Sequence, residues 1–115
     1  MNKVLYNVTV SINPEVEKEW LNWMKETHIP DVMRTGYFLQ NRICRVQDLE
    51  EEGGKTYAIQ YICNSMADLL TYQSECAPAL QADHNQRFQG KFAAFRTVLE
   101  IIHEHPQPNV PISAN

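Results

Sequence analysis

Two histidines are the residues of this sequence best suited to proton transfer. His28 precedes Asp31 by three positions, and His84 lies one helical turn from Leu80 and from Phe88. The pKa of free imidazole is close to neutrality, so either side chain could act as a general acid or base. Each also has a structural interpretation, because His28 could interact with a helix C-terminus and His84 could pack along the edge of the core. Both interpretations stay open at this point.

Polar side chains in strand-like segments form a second group. Arg42 and Arg96 each lie in the middle of a predicted strand, where a buried charge requires a partner. A guanidinium with five donors suits a carboxylate, phosphate or enolate oxygen, so both arginines could hold a small ligand. They could equally pair with Glu100 or with carboxylates of a second chain. With the neutral polar residues predicted on the same sheet face, the candidate ligand-binding residues are Asn7, Thr9, Arg42, Gln60 and Arg96.

Motifs for metals, thiol chemistry and phosphate binding carry little weight in this chain. His103 and His105 supply two imidazoles, whereas closed zinc or iron sites need three or four ligands, so no metal site is predicted. Cys44, Cys63 and Cys76 contain no C-x-x-C pair and fit reduced thiols better than a disulfide framework. The sequence has no glycine-rich phosphate loop. We therefore predict no tightly bound cofactor.

The composition limits the classes of partner. The 115 residues carry 14 acidic and 10 basic side chains, a formal net charge of −4, and 43% of them are apolar. This describes one soluble domain and disfavours binding to nucleic acid or to an anionic membrane, which requires clustered lysine and arginine. No apolar run approaches the length of a membrane span, and residues 1–12 lack a signal-peptide cleavage site. A cytoplasmic location is therefore expected.

The elements that must position these residues follow from the hydrophobic periodicity. The segment 4–12 alternates apolar and polar residues, which predicts a strand with one buried face. Asn13 and Pro14 then supply a helix N-cap and a proline in the first turn. We expect this first helix to end near His28, because Pro30 disfavours a helical conformation in the residue before it.

A hairpin and a second helix follow. The strand-like segments 37–46 and 55–63 flank an acidic, glycine-ended turn at 48–54, which predicts a hairpin. Ser65 begins a capping box, so a helix should start there, and Pro78 should kink it or start a new helical segment.

The last strand, 92–102, completes the order β-α-β-β-α-β. This order predicts a single ferredoxin-like α+β domain over residues 1–105, with a four-stranded antiparallel sheet and two helices on one face. A proline-rich C-terminal tail, 106–115, should lie outside the core.

Two helices can cover only one face of a four-stranded sheet, so the other face needs a second cover. The last strand is apolar on both parities, with Phe95 and Leu99 on one side and Val98 and Ile102 on the other. A strand of this kind is usually buried on both faces. A two-fold homodimer packed through its sheet faces is the simplest solution, and it would enclose the candidate ligand-binding residues in a cavity between the sheets.

The predicted element order and several residue motifs resemble those of known proteins. The element order, with Trp20 and Trp23 in the first helix and His28-Ile-Pro-Asp31 after it, resembles the dimeric α/β barrel superfamily, whose members pack sheet against sheet around an internal cavity. More narrowly, a family of short bacterial proteins catalogued only as a domain of unknown function is similar over about residues 4–102, through the segments 6–10, 20–32, 57–61, 77–80 and 95–97. The resemblance implies the fold and the dimer, and brings no reaction. The superfamily includes cofactor-independent monooxygenases, haem-degrading enzymes, isomerases and dehalogenating enzymes, and a fold alone does not choose among them.

Two functional hypotheses follow from the sequence. In the first, a homodimer binds a small anionic or carbonyl-bearing molecule and can transform it without a cofactor, as a monooxygenase or isomerase would. Arginine and amide donors would stabilise an oxyanion, and His28 or His84 would move the proton. In the second, the protein is a non-catalytic dimerisation or sensing module whose cavity is filled by side chains. A third variant, haem binding, requires His28 to point into an apolar cavity wide enough for the macrocycle.

Overall fold

The computed structural model describes residues 2–47, 55–106 and 108. The predicted turn at 48–54 and most of the predicted tail at 106–115 lie outside these residues. The elements along the chain are β1 (Val4–Ile12), a 3-10 turn (Pro14–Val16), α1 (Glu17–Trp23), a π-helical turn (Met24–His28), α2 (Ile29–Arg34), β2 (Phe38–Arg45), β3 (Lys55–Cys63), α3 (Met66–Glu75), α4 (Ala77–Arg87) and β4 (Phe92–Glu100). Within the described residues, no helix is both long enough and apolar enough to cross a membrane.

The four strands form one antiparallel sheet in the order β2-β3-β1-β4. Tyr6 pairs with Tyr61 and Val98, whereas Asn7 pairs with Gln60 and Thr97. Because paired residues point to the same side of a sheet, this register divides the side chains between two faces. The inner face packs against all four helices in the hydrophobic core, and the outer face carries no helix. The predicted ferredoxin-like α+β fold is confirmed.

The first predicted helix begins as expected but does not end at His28. Asn13 Oδ1 accepts a hydrogen bond from the Glu15 N–H at 2.8 Å, as predicted for the N-cap. Both His28 and Ile29 are helical, and the Ile29 N–H donates to the Met24 carbonyl, five residues earlier. Proline lacks an N–H, and its ring clashes with the carbonyl four residues before it in α geometry. The chain avoids this clash by widening one turn to a π-helix, so the prediction that Pro30 ends the helix is wrong.

The second helix divides as its sequence predicts. Ser65 Oγ accepts from the Asp68 N–H at 3.1 Å and caps α3. At Cys76 the helix breaks, and Pro78 occupies the first turn of α4, where its missing N–H has no helical partner to lose. The axis of α4 is therefore independent of that of α3, and α4 places His84 in the layer between the helices and the sheet.

The outer face of the sheet is uncovered in a single chain. Phe95 is 63% exposed and Leu99 45% exposed, and both lie on the parity of β4 that points away from the helices, since they pair with Thr9 and Leu5. Exposed apolar side chains grouped on one face are typical of a surface that packs against a partner.

The Ser65 cap allows a direct test of this architecture. Replacing Ser65 with Ala removes the acceptor for the Asp68 N–H, so we expect the free energy of unfolding to fall by about 1 kcal/mol in urea denaturation. Ser74→Ala, an exposed serine near the end of the same helix, is the matched control and should change stability by no more than a few tenths of a kcal/mol. Equal effects of the two substitutions would contradict the capping role.

Candidate functional site

A cavity lies between the inner face of the sheet and the helices. The volume open to the centre of a water molecule is about 50 Å³, a few times the roughly 10–15 Å³ that one water needs on the same measure. Its walls are mostly apolar, with side chains from β1, β3, β4 and every helical segment from the π turn to α4. The polar side chains that line it are Tyr6, His28, Tyr61, Tyr72, Gln81, His84, Asn85 and Arg96.

Three of the seven predicted site residues line this cavity, namely His28, His84 and Arg96. The expectation that Arg96 shares a face with Asn7 is wrong, because Arg96 pairs with Val8 and therefore points to the helix side. A shift of one residue in register exchanges the two faces of a strand. The alternation within β4 could not reveal which parity faces the helices until the pairing with β1 was known.

The other four predicted residues are brought together on the outer face. Asn7, Gln60 and Arg42 are neighbours across β1, β3 and β2. Arg42 Nε donates to Gln60 Oε1 at 2.6 Å, and Asn7 Nδ2 donates to Thr9 Oγ1 at 2.9 Å. None of them lines the cavity between helices and sheet. The cavity predicted between two sheets is therefore a different place from the one formed within the chain.

A hydrogen bond to Trp20 determines the chemical state of His84. The Trp20 Nε1–H donates to His84 Nε2 at 2.9 Å, which connects α1 to α4. Trp20 is fully buried and His84 is 8% exposed. An indole N–H can only donate, so the acceptor nitrogen must be unprotonated and the ring proton belongs on Nδ1.

The surroundings keep His84 neutral. Burial, followed by the nearby His28 and Arg96, lowers the pKa of His84 to about 4. The Phe92 ring stands perpendicular to the imidazole at 4.3 Å between centroids. At neutral pH His84 is thus a hydrogen-bond donor through Nδ1 and a poor proton acceptor.

His28 is brought to the cavity by the π-helical turn. Its ring stacks on Trp23 at 4.9 Å between centroids and lies 5.7 Å from the His84 ring. Burial lowers the pKa of His28, while the carboxylates of Asp31 and Asp83 act in the opposite direction. The side chain of Asp31 forms an ion pair with Arg34 rather than with His28. Of the two histidines, His28 alone has both ring nitrogens without a hydrogen-bond partner among the described residues.

Arg96 supplies the positive charge of the cavity. Neither a hydrogen bond nor an ion pair joins its guanidinium to any residue in the described part of the chain. Glu100, its proposed intrachain partner, instead accepts from Asn2 at 3.2 Å. No Asp or Glu is found among the residues that line the cavity. Arg96 therefore faces a space that contains donors and no acidic group.

Sequence reasoning missed the tyrosines of this site. Tyr6, Tyr61 and Tyr72 line the cavity, and their hydroxyls have no hydrogen-bond partner among the residues the structure describes. Burial raises the pKa of both Tyr61 and Tyr72, so these phenols remain protonated and can donate. Their positions at apolar parity looked like core residues. The sequence signal that could have identified them is the presence of three tyrosines at positions where core elements usually carry aliphatic residues.

The fold and this cavity define a ferredoxin-like α+β protein with a candidate site beneath its helices. The model of a family described as a domain of unknown function, DUF4286, matches residues 3–102. The chain belongs to this family. No curated protein matches the sequence.

Solved structures share the architecture at low sequence identity. A variant of SnoaB, a cofactor-independent oxygenase from Streptomyces nogalater, is 7% identical with a TM-score of 0.68, over 93% of this chain and 100% of that one. A dimeric ferredoxin-like protein from an uncultured marine organism is 11% identical with a TM-score of 0.68, over 91% and 99%. A variant of MhuD with two manganese protoporphyrin IX molecules bound per active site is 13% identical with a TM-score of 0.65, over 90% and 99%. At these identities the likeness establishes the fold.

The cavity does not fit a porphyrin. Its volume of about 50 Å³ accommodates a few water-sized positions, far less than a macrocycle. His84 Nε2 is already an acceptor for Trp20, and one face of the His28 ring is covered by Trp23. Among the described residues, no three His, Cys, Asp or Glu side chains come together as a metal site; the His103 and His105 rings, 6.0 Å apart, have no third ligand.

The lowered pKa of His84 predicts acid sensitivity. The unfolded chain, with His84 at its ordinary pKa near 6.5, binds more protons than the folded protein between about pH 6.5 and 4. Stability is therefore fully present above pH 6.5 and is lost as the pH falls through this window. His84 should contribute a loss of about 2 kcal/mol between pH 7.5 and pH 5, measured by urea denaturation.

A variant can assign this loss to His84. The His84→Gln side chain can accept from Trp20 without titrating, so its stability should fall less on acidification than that of the wild type. His103→Gln replaces an exposed histidine and should follow the wild type. Parallel curves for the wild type and the His84 variant would contradict the buried neutral state.

Proposed function

We propose that the cavity beneath the helices binds a small organic anion, a carboxylate or an enolate. The observation that carries this proposal is the chemistry of the lining, which contains one guanidinium and several donors but no carboxylate among its described residues. A guanidinium without a partner suits a ligand oxygen in bidentate or single contact. Arg96 would bind that oxygen, and the Nδ1–H of His84 would be a second donor to the ligand.

The same residues could support cofactor-independent chemistry. Donors from Arg96 and His84 would stabilise negative charge that develops on a carbonyl oxygen. In a neutral carbonyl substrate, a proton removed from the adjacent carbon would go to His28, and the electron pair of the broken C–H bond would move to the oxygen as an enolate. An isomerase returns the proton to another carbon, whereas a monooxygenase uses dioxygen as the co-reactant. The likeness to SnoaB, itself described as a cofactor-independent oxygenase, supports this class of reaction.

The small volume of the cavity supports a second candidate function. A space of about 50 Å³ holds only a compact ligand unless the helices move. If the cavity never admits more than water, the protein is instead a dimerisation or sensing module. The two candidates differ in whether an organic anion binds at Arg96.

Pairing of two chains through their outer sheet faces is also part of the proposal. The exposed Phe95 and Leu99 supply apolar area, and Asn7 Oδ1 is buried without a hydrogen-bond partner among the described residues. An orphan acceptor and the remaining donors of Arg42 are groups that a second polar surface would satisfy. Structural neighbours described as dimeric support the same arrangement. We further propose that this homodimer is cytoplasmic, because all three cysteines are free thiols, as expected in a reducing compartment.

Binding of carboxylates tests the cavity. We expect acetate, pyruvate or benzoate to shift the NMR signals of cavity residues, and Arg96→Gln to weaken that binding by about 10- to 100-fold, the cost of a lost charge-assisted hydrogen bond. Arg42→Gln is the matched control, because it removes a guanidinium from the outer face. Loss of binding in the Arg42 variant alone would place the ligand between the sheets, and binding in neither variant nor wild type would favour the second candidate.

A charged substitution tests the dimer. Phe95→Asp would place a carboxylate in the proposed apolar interface, so its mass in light scattering should be one chain of 13.3 kDa, against twice that value for the wild type. Leu70→Asp, at a 55% exposed leucine of α3, should remain dimeric. Circular dichroism checks that both variants are folded. A wild-type protein that is monomeric at micromolar concentration would refute the pairing.

A further inference from the structure

His28 stands between the cavity and a groove on the protein surface. The groove lies beside α1 and α4 and is lined by Trp23, Thr27, Asp83, Gln86 and Arg87. Trp23 belongs to the groove and stacks on the His28 ring, and the Arg87 guanidinium lies 5.5 Å from the Trp23 ring centroid. One side of the half-buried His28 therefore faces the cavity, and Trp23 lies between its other side and the groove.

Charged groups from three elements act on His28. Asp31 on α2 and Asp83 on α4 favour its protonated form. His84 on α4 lies against it, and Arg96 on β4 shares the cavity wall and repels a second positive charge. Arg87 acts only from beyond Trp23. Burial lowers the pKa of His28 in the free protein, while the carboxylates of Asp31 and Asp83 act in the opposite direction and are near enough to assist its protonation.

Other lining residues are poorly suited to take a proton. His84 Nε2 accepts from Trp20, so protonating it would break a buried hydrogen bond. The described lining contains no carboxylate, and Gln81 and Asn85 do not titrate. Burial raises the pKa of Tyr61 and Tyr72, so these phenols already hold their proton. His28 is thus the lining side chain, among the described residues, with a basic nitrogen free.

We propose that His28 takes up a proton when the cavity binds an anion, so that the site admits a carboxylate and a proton together. This inference rests on the proposed function. In a space of about 50 Å³, a ligand held by Arg96 lies within a few ångströms of every wall. An opposite charge at about 4–6 Å favours the protonated imidazole. Stacking on Trp23 further favours an imidazolium, whose charge the indole face attracts.

The coupling between anion binding and protonation of His28 determines how the affinity changes with pH. In the free protein the pKa of His28 is lowered from its ordinary value by burial, and a bound anion raises it. Between those two pKa values the complex holds one proton more than the free protein. By linkage, the affinity for the anion should then rise as the pH falls, by up to tenfold per pH unit, and should level off outside this window.

Isothermal titration calorimetry measures the proton uptake that accompanies anion binding. Of acetate, pyruvate and benzoate, the one that binds the wild type with the highest affinity is titrated into the full-length protein near pH 7. The titration is done in Tris and in bis-Tris, two cationic buffers with different ionisation enthalpies. For wild type we expect a buffer-dependent heat that reports uptake of up to one proton. The His28→Gln variant should give the same heat in both buffers and an affinity independent of pH. His103→Gln, the matched control, should retain the uptake.

The possible outcomes separate this inference from the proposed function. A carboxylate that binds the wild type with the same heat in both buffers overturns the proton uptake and leaves the anion site intact. Uptake that persists in His28→Gln overturns the assignment to His28. If none of the three carboxylates binds, the proposed function and this inference are both overturned.

Discussion

The hydrogen bond from Trp20 to His84 is the interaction on which the site depends. Leaving the buried indole N–H without an acceptor would cost about 1–3 kcal/mol, and His84 Nε2 is the acceptor within reach. This requirement draws α4 over the sheet and fixes the imidazole in its neutral form with the proton on Nδ1. A contact that stabilises the helix layer therefore also makes His84 a donor, which leaves His28 as the proton acceptor in the proposed function.

The register of the sheet divides the molecule into two functional faces. Alternate residues of β1 either face the helices, as Tyr6 does, or face outward, as Asn7 does. The inner face forms the core and the cavity within one chain. The outer face carries apolar residues around a polar row that includes Asn7, Gln60 and Arg42. β1, β3 and β4 thus each contribute to the proposed ligand site on one face and to the proposed interface on the other, and a one-residue slip would damage both.

Much of this fold could be predicted from local patterns, whereas the site could not. The alternation in β1 and the capping residues Asn13 and Ser65 depend on near neighbours in sequence, and their interpretations were correct. The face of Arg96 depends on pairing with Val8, nearly ninety positions away along the chain. The π-helical turn reconciles Pro30 with a continuing helix, a compromise that propensity rules for single residues do not describe. The chemistry of imidazole identifies His28 and His84 as candidates, but only the fold places their rings side by side.

An arginine without a counter-ion would be costly in a closed core, which is why pairing with Glu100 was the natural structural alternative. The structure avoids that cost differently. Arg96 is exposed although its side chain lines the cavity, so its charge stays accessible to water. In the proposed function, an entering anion would displace that water and neutralise the charge in the same step. The absence of carboxylates among the described lining residues then has a physical reason, because an internal partner would compete with the ligand for the one cation of the cavity.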